Sequence, residues 1–252
     1  MAEKKKKAAA GKRPAKSKPR KRAATVASLP KRKNLRGPER EKVILESAIR
    51  FFAEQGFEGQ TRELAKRIGI THSAIYRHFP SKEALIERVY EHVYLGGWQK
   101  HWASLILDRS LPLEVRLTRF YTEYSDQIFN FDWVRIFIFS GLKSFDINKR
   151  YLRLVTDTIG IPALTEARIE FGLPSVEDKP ISQRERELFW GLHGRFFYIA
   201  IRKFVYGVPV PDNGDRYVVI ADGVRQFLSG ARGVMRDFVE AEPPQERAER
   251  SA

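Results

Sequence analysis

The chain has 252 residues, with 46 lysines and arginines against 31 acids, a formal charge of +15 and no cysteine. Lacking cysteine, it can form no disulfide, thiolate nucleophile or thiol metal ligand, and a reducing cytoplasm is the expected compartment. The basic excess points to a polyanionic partner, while the best candidate for a membrane span, Trp133 to Leu142, is too short to cross a bilayer and contains Arg135.

Residues 1–37 hold 15 of the lysines and arginines and the single acid Glu3, so the rest of the chain is nearly balanced. This segment contains Pro14, Pro19 and Pro30 and almost no large apolar side chain. It cannot bury enough surface to offset chain entropy, so a disordered basic tail is expected. An arm lying on DNA phosphates is one reading and a solubilising leader is another. No apolar stretch follows the lysines, which speaks against a signal peptide and a membrane anchor.

From Glu41, apolar residues at Val43, Ile44, Ala48, Phe51 and Phe52 predict a helix with one buried face, ended by Gly56. Thr61 reads as the cap of a short second helix whose inner face is Leu64, Ala65 and Ile68, with Gly69 as its stop. Only about three residues separate it from a third helix capped by Thr71 and running from His72 to Phe79, so the two must cross steeply as a helix-turn-helix. Along that third helix Ile75 and Phe79 point inward. Ser73, Tyr76 and Arg77 share the outward arc, with Ala74 and His78 on its edge. Pro80 closes it, and Ser81 with Lys82 and Glu83 opens the next helix.

Farther along, helices are expected over 82–107, 113–129, 132–143 and 147–171. A polar loop follows, then a helix capped by Ser182 reaching Tyr206 and a last one from Asp215 to Val239. In the final helix Tyr217, Ile220, Val224, Phe227, Ala231 and Val234 form a stripe; its predecessor offers Leu188, Leu192, Phe196 and Ile199 with Gly191 and Gly194. These two helices are the expected dimer surface, two from each subunit making a four-helix bundle. His193 reads as a hydrogen-bonded interior histidine.

The segment from Phe51-Phe52-Ala53-Glu54-Gln55-Gly56-Phe57 through Glu63-Leu64-Ala65, Gly69-Ile70-Thr71, Ile75-Tyr76-Arg77-His78-Phe79 and Ser81-Lys82-Glu83-Ala84-Leu85 resembles the TetR/AcrR family of transcriptional regulators. Two departures stand out. The loop between Phe57 and Leu64 is about one residue shorter than is common, and Ser73 stands where the family often has glycine. The resemblance implies an all-α fold, with a helix-turn-helix DNA-binding domain over 38–84, a helical effector-binding and dimerisation domain over 85–240, and a disordered tail over 241–252. It further implies that His72, Ser73 and Arg77 touch base edges of double-stranded DNA, that Thr71, Tyr76, His78 and Lys82 hold phosphates, and that Arg62 flanks them. A homodimer would set the two reading helices about 34 to 36 Å apart and require a near-palindromic operator.

By the same resemblance an unknown small-molecule effector enters a region dense in rings, among them Trp98, Trp102, Tyr121, Tyr124, Trp133, Phe137, Phe145 and Phe197; an apolar or amphipathic compound would suit it. Repression is the family default. An enzyme is disfavoured, because there is no nucleophile elbow, phosphate-cradling glycine loop or HExxH, and Glu166 and Glu170 read as carboxylates on a solvated helix face. Neither a cofactor nor a metal is expected, and the six-residue spacing of His72 and His78 does not suit a shared ion. The alternative is a sequence-independent DNA-compacting protein working mainly through its basic tail.

Overall fold

The computed structural model describes residues 37–143 and 146–241, so the basic tail up to Arg36, Phe145 and the segment 242–252 lie outside the described residues. The described chain is helical without strands: α1 (Gly37–Gln55), α2 (Thr61–Ile68), α3 (His72–Tyr76), α4 (Lys82–Tyr90), α5 (His101–Leu107), α6 (Leu113–Ile128), α7 (Phe131–Leu142), α8 (Ile147–Val155), α9 (Ile161–Phe171), α10 (Gln183–Phe204) and α11 (Asn213–Ala241). No described helix is long and apolar enough to cross a membrane.

The local signals act largely as read. Asn130 caps α7, its Oδ1 accepting the amides of Asp132 at 2.9 Å and Trp133 at 3.2 Å. Ser182 and Glu185 form a reciprocal capping box at the start of α10. Apolar faces then bury against one another, each large side chain contributing on the order of 1.5–3 kcal/mol. Helix α1 packs on α7, α6 sits between α5, α9 and α11, and α10 lies across α6, α7, α9 and α11.

Four expectations change. The helix expected over 147–171 is interrupted by a π turn, Thr156–Gly160, between α8 and α9. The helix expected over 82–107 is broken: after α4 the chain widens into a π turn, Glu91–Leu95, and then passes through Gly96 and Gly97 before α5. A Cβ at position 96 would lie 2.6 Å from the His92 carbonyl oxygen, a backbone atom that cannot swing aside, whereas at position 97 the nearest atom is Oε1 of Gln127, the tip of a movable side chain. The expected third helix is cut to His72–Tyr76, with His78 and Phe79 amides bonding the Ile75 carbonyl in a closing turn before Pro80. Glu166 is not on a solvated face. It is 2% exposed, accepting from Arg109 Nη2 at 2.8 Å and Arg116 Nη1 at 2.9 Å, because α9 turns that side chain toward α6. Glu170 is exposed and accepts the Leu113 amide at 3.2 Å.

The stripe read in α11 divides. Ile220, Val224 and Ala231 are buried within the subunit, joined by Leu228, Met235 and Val239, whereas Val234 is exposed. On α10, Leu192, Phe196 and Ile199 also point inward, and Gly191 and Gly194 face outward.

Candidate nucleic-acid interface

The first four helices are held by Ile44, Ala48, Phe51, Phe52, Leu64, Ile75, Phe79, Leu85 and Val89, all nearly inaccessible to solvent. Gly69 adopts φ 77°, a left-handed conformation that costs glycine little, and its amide reaches the Ala65 carbonyl at 3.0 Å. That turn reverses the chain into α3 within three residues. Glu54 on α1 accepts from Arg50 Nε at 2.8 Å and from Arg67 Nη1 at 2.7 Å, tying α2 to α1. Burial raises the Glu54 carboxyl's proton affinity, but the two guanidiniums outweigh it and hold the group below its ordinary value.

Thr61 was expected as the α2 cap, but Gln60 takes that position in extended backbone and Thr61 is the first helical residue. At 6% exposure its Oγ1 lies 2.9 Å from His72 Nε2 and 3.0 Å from the Tyr76 hydroxyl. The His72 and Tyr76 rings meet edge to face at 4.9 Å. One buried hydroxyl on α2 therefore fixes two side chains of α3. Sequence reading missed this, although a threonine directly after the cap and facing the turn is where such a bridge can form.

The remaining predicted contact residues surround this bridge. Arg62, Thr71, Ser73 and Arg77 are exposed, while His72, Tyr76, His78 and Lys82 are half-buried. Ser73 Oγ lies 3.1 Å from Thr71 Oγ1. Ala74, placed on the edge of the outward arc, is instead 6% exposed and counts with Ile75 among the buried residues of α3. Ser81 caps α4 by accepting the Ala84 amide at 3.0 Å, which sets Lys82 at the helix start. The surface so formed is small, polar and basic, and its backbone is unobstructed by bulky side chains at 71 and 73.

Helix α7 grips this head. Arg135 Nε donates to the Ala53 carbonyl at 2.6 Å, satisfying an acceptor in the last turn of α1. Arg50 Nη1 reaches Asp132 Oδ1 at 3.3 Å, and Arg50 and Arg135 lie over the Phe131 ring at 4.5 and 5.1 Å. Phe139 comes so near Gly56 that a Cβ there would meet its ring at 3.1 Å. A second link joins α8 to α4, where Arg150 donates to Glu87 at 2.8 Å and covers the Tyr90 ring at 4.0 Å.

The opposite face of α7 enters the ring cluster. Trp133 and Phe137 stack at 5.3 Å, and Phe137 meets Phe197 at the same separation. Trp98 and Trp102 meet at 5.2 Å, and Trp102 packs on Tyr124 at 5.9 Å. Tyr151, which sequence reading did not single out, joins the two groups, lying 6.0 Å from Trp98 and 5.4 Å from Trp133. Trp102, Tyr121, Tyr124, Trp133 and Phe137 are buried, and Trp98 and Phe197 are half-buried. A separate cleft of about 670 Å³ opens between α1, the first π turn and the α6–α7 junction, and of these seven residues Trp133 alone lines it.

Residues 44–89 match the family model described as bacterial regulatory proteins, tetR family. Over 57 residues the chain is 40% identical to the HTH-type transcriptional regulator YuxN of Bacillus subtilis, a match covering 22% of this chain and 20% of that protein. Over 81 residues it is 42% identical to the nucleoid occlusion factor SlmA of Marinobacter nauticus, covering 32% of this chain and 40% of that one. The chain thus matches less than half the length of either relative. A TetR family transcriptional regulator from Pseudomonas syringae pv. tomato has a similar fold, with a TM-score of 0.52 at 16% identity over 77% of this chain and 97% of that structure.

Proposed function

Because this chain belongs to the TetR family of DNA-binding transcriptional regulators, we propose that it is a repressor, binding a near-palindromic operator as a homodimer and released by a small molecule in its ring cluster. The observation that carries the operator reading is the Thr61 bridge. It holds His72 and Tyr76 in place on a five-residue helix whose neighbours Ser73 and Arg77 stand exposed.

In this reading Arg77 pairs with a base edge in the major groove and Ser73 approaches beside it. Thr71, Tyr76, His78, Lys82 and Arg62 neutralise or hydrogen-bond the flanking phosphates, and the half-buried His72 contributes through whatever part of its ring Thr61 leaves open. The outward faces of α10 and α11 supply the dimer contact. Gly191 and Gly194 on one, and Gly230 and Gly233 on the other, have no heavy atom within 4 Å of a built Cβ, and Tyr198 and Val218 are exposed nearby. Small residues beside exposed apolar ones allow close approach of a symmetry mate.

The rival reading, DNA compaction, is supported by the concentration of positive charge in residues 1–37. Genome-wide footprinting, with sedimentation of the full chain and of the chain lacking residues 1–37, separates the two. A dimer that still prefers one palindrome after removal of the tail supports the regulator. A monomer, or loss of all sequence preference with the tail, sinks it.

A further inference from the structure

Five buried side-chain atoms have no hydrogen-bond partner among the described residues: Nε of Arg116, Arg150 and Arg202, the Tyr121 hydroxyl and His193 Nδ1. The arginines have evident employment elsewhere. Arg116 and Arg150 are engaged through their other nitrogens, and Arg202 lies over the Tyr198 ring. Tyr121 and His193 are different, since they sit in the middle of the ring cluster at 0% and 5% exposure with ring centroids 6.0 Å apart. Natural cores seldom leave polar atoms unpaired on two neighbouring rings, because each was hydrogen-bonded to water before folding.

The direction of the surrounding hydrogen bonds tells what these atoms offer. The Tyr151 hydroxyl donates to the Tyr124 oxygen at 3.2 Å, so the arrangement that also gives the Tyr124 proton a partner has it donated to His193 Nε2, 3.3 Å away. With Nε2 accepting, the neutral imidazole carries its proton on Nδ1, so the orphan is a donor. Burial lowers the His193 pKa to about 4 and therefore keeps the ring neutral. Burial likewise pushes the hydroxyls of Tyr121, Tyr124 and Tyr151 upward. The rings against His193 are those of Tyr121, Tyr124, Phe189 and Trp190. None can balance a formal charge.

We propose that Tyr121 and His193 are the polar anchor of a ligand site within the ring cluster, and that its ligand is an uncharged, largely apolar molecule carrying a carbonyl oxygen. The oxygen accepts from His193 Nδ1 and the Tyr121 hydroxyl, and the apolar body displaces ring contacts. Carboxylates and ammonium ions are excluded, because the site has no countercharge and would strip their water. Among the four rings against His193, Trp190 alone is half-buried, standing edge-on to the imidazole at 5.3 Å, so the ligand enters from its side. The inference rests on the regulator reading only in calling this ligand the effector.

The test uses the full chain, acetophenone as probe, ethylbenzene as the same shape without the oxygen, and benzoate as the charged analogue. Side-chain nitrogen NMR should show the Nδ1–H tautomer for His193 and a shift of that nitrogen on adding acetophenone. Acetophenone should bind about tenfold more tightly than either analogue, the ratio expected for one well-made hydrogen bond in a dry site. Tyr121→Phe should weaken acetophenone by a similar factor while leaving the melting temperature unchanged or higher, since it deletes an unpaired hydroxyl. Equal binding of ethylbenzene, or no binding of acetophenone, would overturn the anchor and leave ordered water as its occupant. A Tyr121→Phe variant that melts lower with unchanged affinity would overturn it too. Operator binding is measured separately: acetophenone that binds without weakening it keeps the anchor and removes the release mechanism.

Discussion

Arg168 near the end of α9 and Glu185 in the first turn of α10 form a two-pronged ion pair, with Nε to Oε1 and Nη2 to Oε2 both at 2.6 Å and both side chains sealed from solvent. The same carboxylate accepts the Ser182 amide at 2.8 Å, and Arg168 also donates to the carbonyls of Pro174, Ser175, Lys179 and Pro180. The whole loop between two helices is thus organised around one guanidinium. Removing one partner strands the other charge, so Arg168→Met and Glu185→Ala should each cost about 3–5 kcal/mol. Urea unfolding measures this, and a loss below about 1 kcal/mol for both variants would refute the pairing as a structural element.

Thr61→Val should leave the apolar packing of α2 intact and release His72 and Tyr76. The expected stability loss is about 1 kcal/mol, and operator affinity should fall because α3 loses its side-chain bracing. Arg77→Ala should instead leave stability unchanged and cost about 1–3 kcal/mol of operator binding, with relaxed preference at one base pair. Gel-shift titrations on single-base operator variants check both. An Arg77→Ala protein with undiminished selectivity would remove that residue from the base-reading set.

Arg135→Ala breaks the bond to the Ala53 carbonyl and a cation–ring contact on Phe139. Faster amide hydrogen exchange should appear at the end of α1, with the ring cluster unaffected. If α7 transmits the effector signal, ligand binding in this variant should persist while its effect on operator affinity shrinks. Unchanged coupling would assign transmission to the Arg150–Glu87 link instead.

Acid sensitivity should come in two windows. His193 has a folded pKa of about 4 against 6.5 when unfolded, so as pH falls the unfolded chain takes up its proton first. Stability is then full above pH 6.5 and declines by about 1.4 kcal/mol per pH unit toward pH 4. For Glu185, burial raises the pKa but Arg168 and the Ser182 amide outweigh it; for Glu166, Arg109 and Arg116 lower it against burial. Their stabilisation is present above about pH 4.5 and is lost below it. His193→Gln should flatten the unfolding free energy between pH 6.5 and 5. A slope matching the parent in that interval would assign it to other groups.

The helix-turn-helix was legible because its determinants are local: Gly69 must be left-handed, Ser81 must cap, and Ile75 and Phe79 must face one way. Most helix bounds from Leu113 to Ala241 were legible for the same reason, but the π turn Thr156–Gly160 that divides the helix expected over 147–171 was not. What escaped depends on partners far apart in the chain. Glu166 looks solvated until Arg116 arrives from 50 positions away, and Thr61 looks like a cap until α3 folds back on it. The break at Gly96 and Gly97 is the exception: its signal was local, two successive glycines, the first of them crowded by the His92 carbonyl. Tyr151 was overlooked because its importance lies in joining two ring groups that come from different helices.

Helix α7 holds the helix-turn-helix head with one face and stacks Trp133 and Phe137 with the other. Substitutions at those two rings are therefore expected to tilt the head as well. Under the effector proposal, a change of chemical preference is best tolerated at Trp190, whose ring meets Phe189 and His193 on its own helix and neither of the α7 rings, whereas Phe197 packs on both of them.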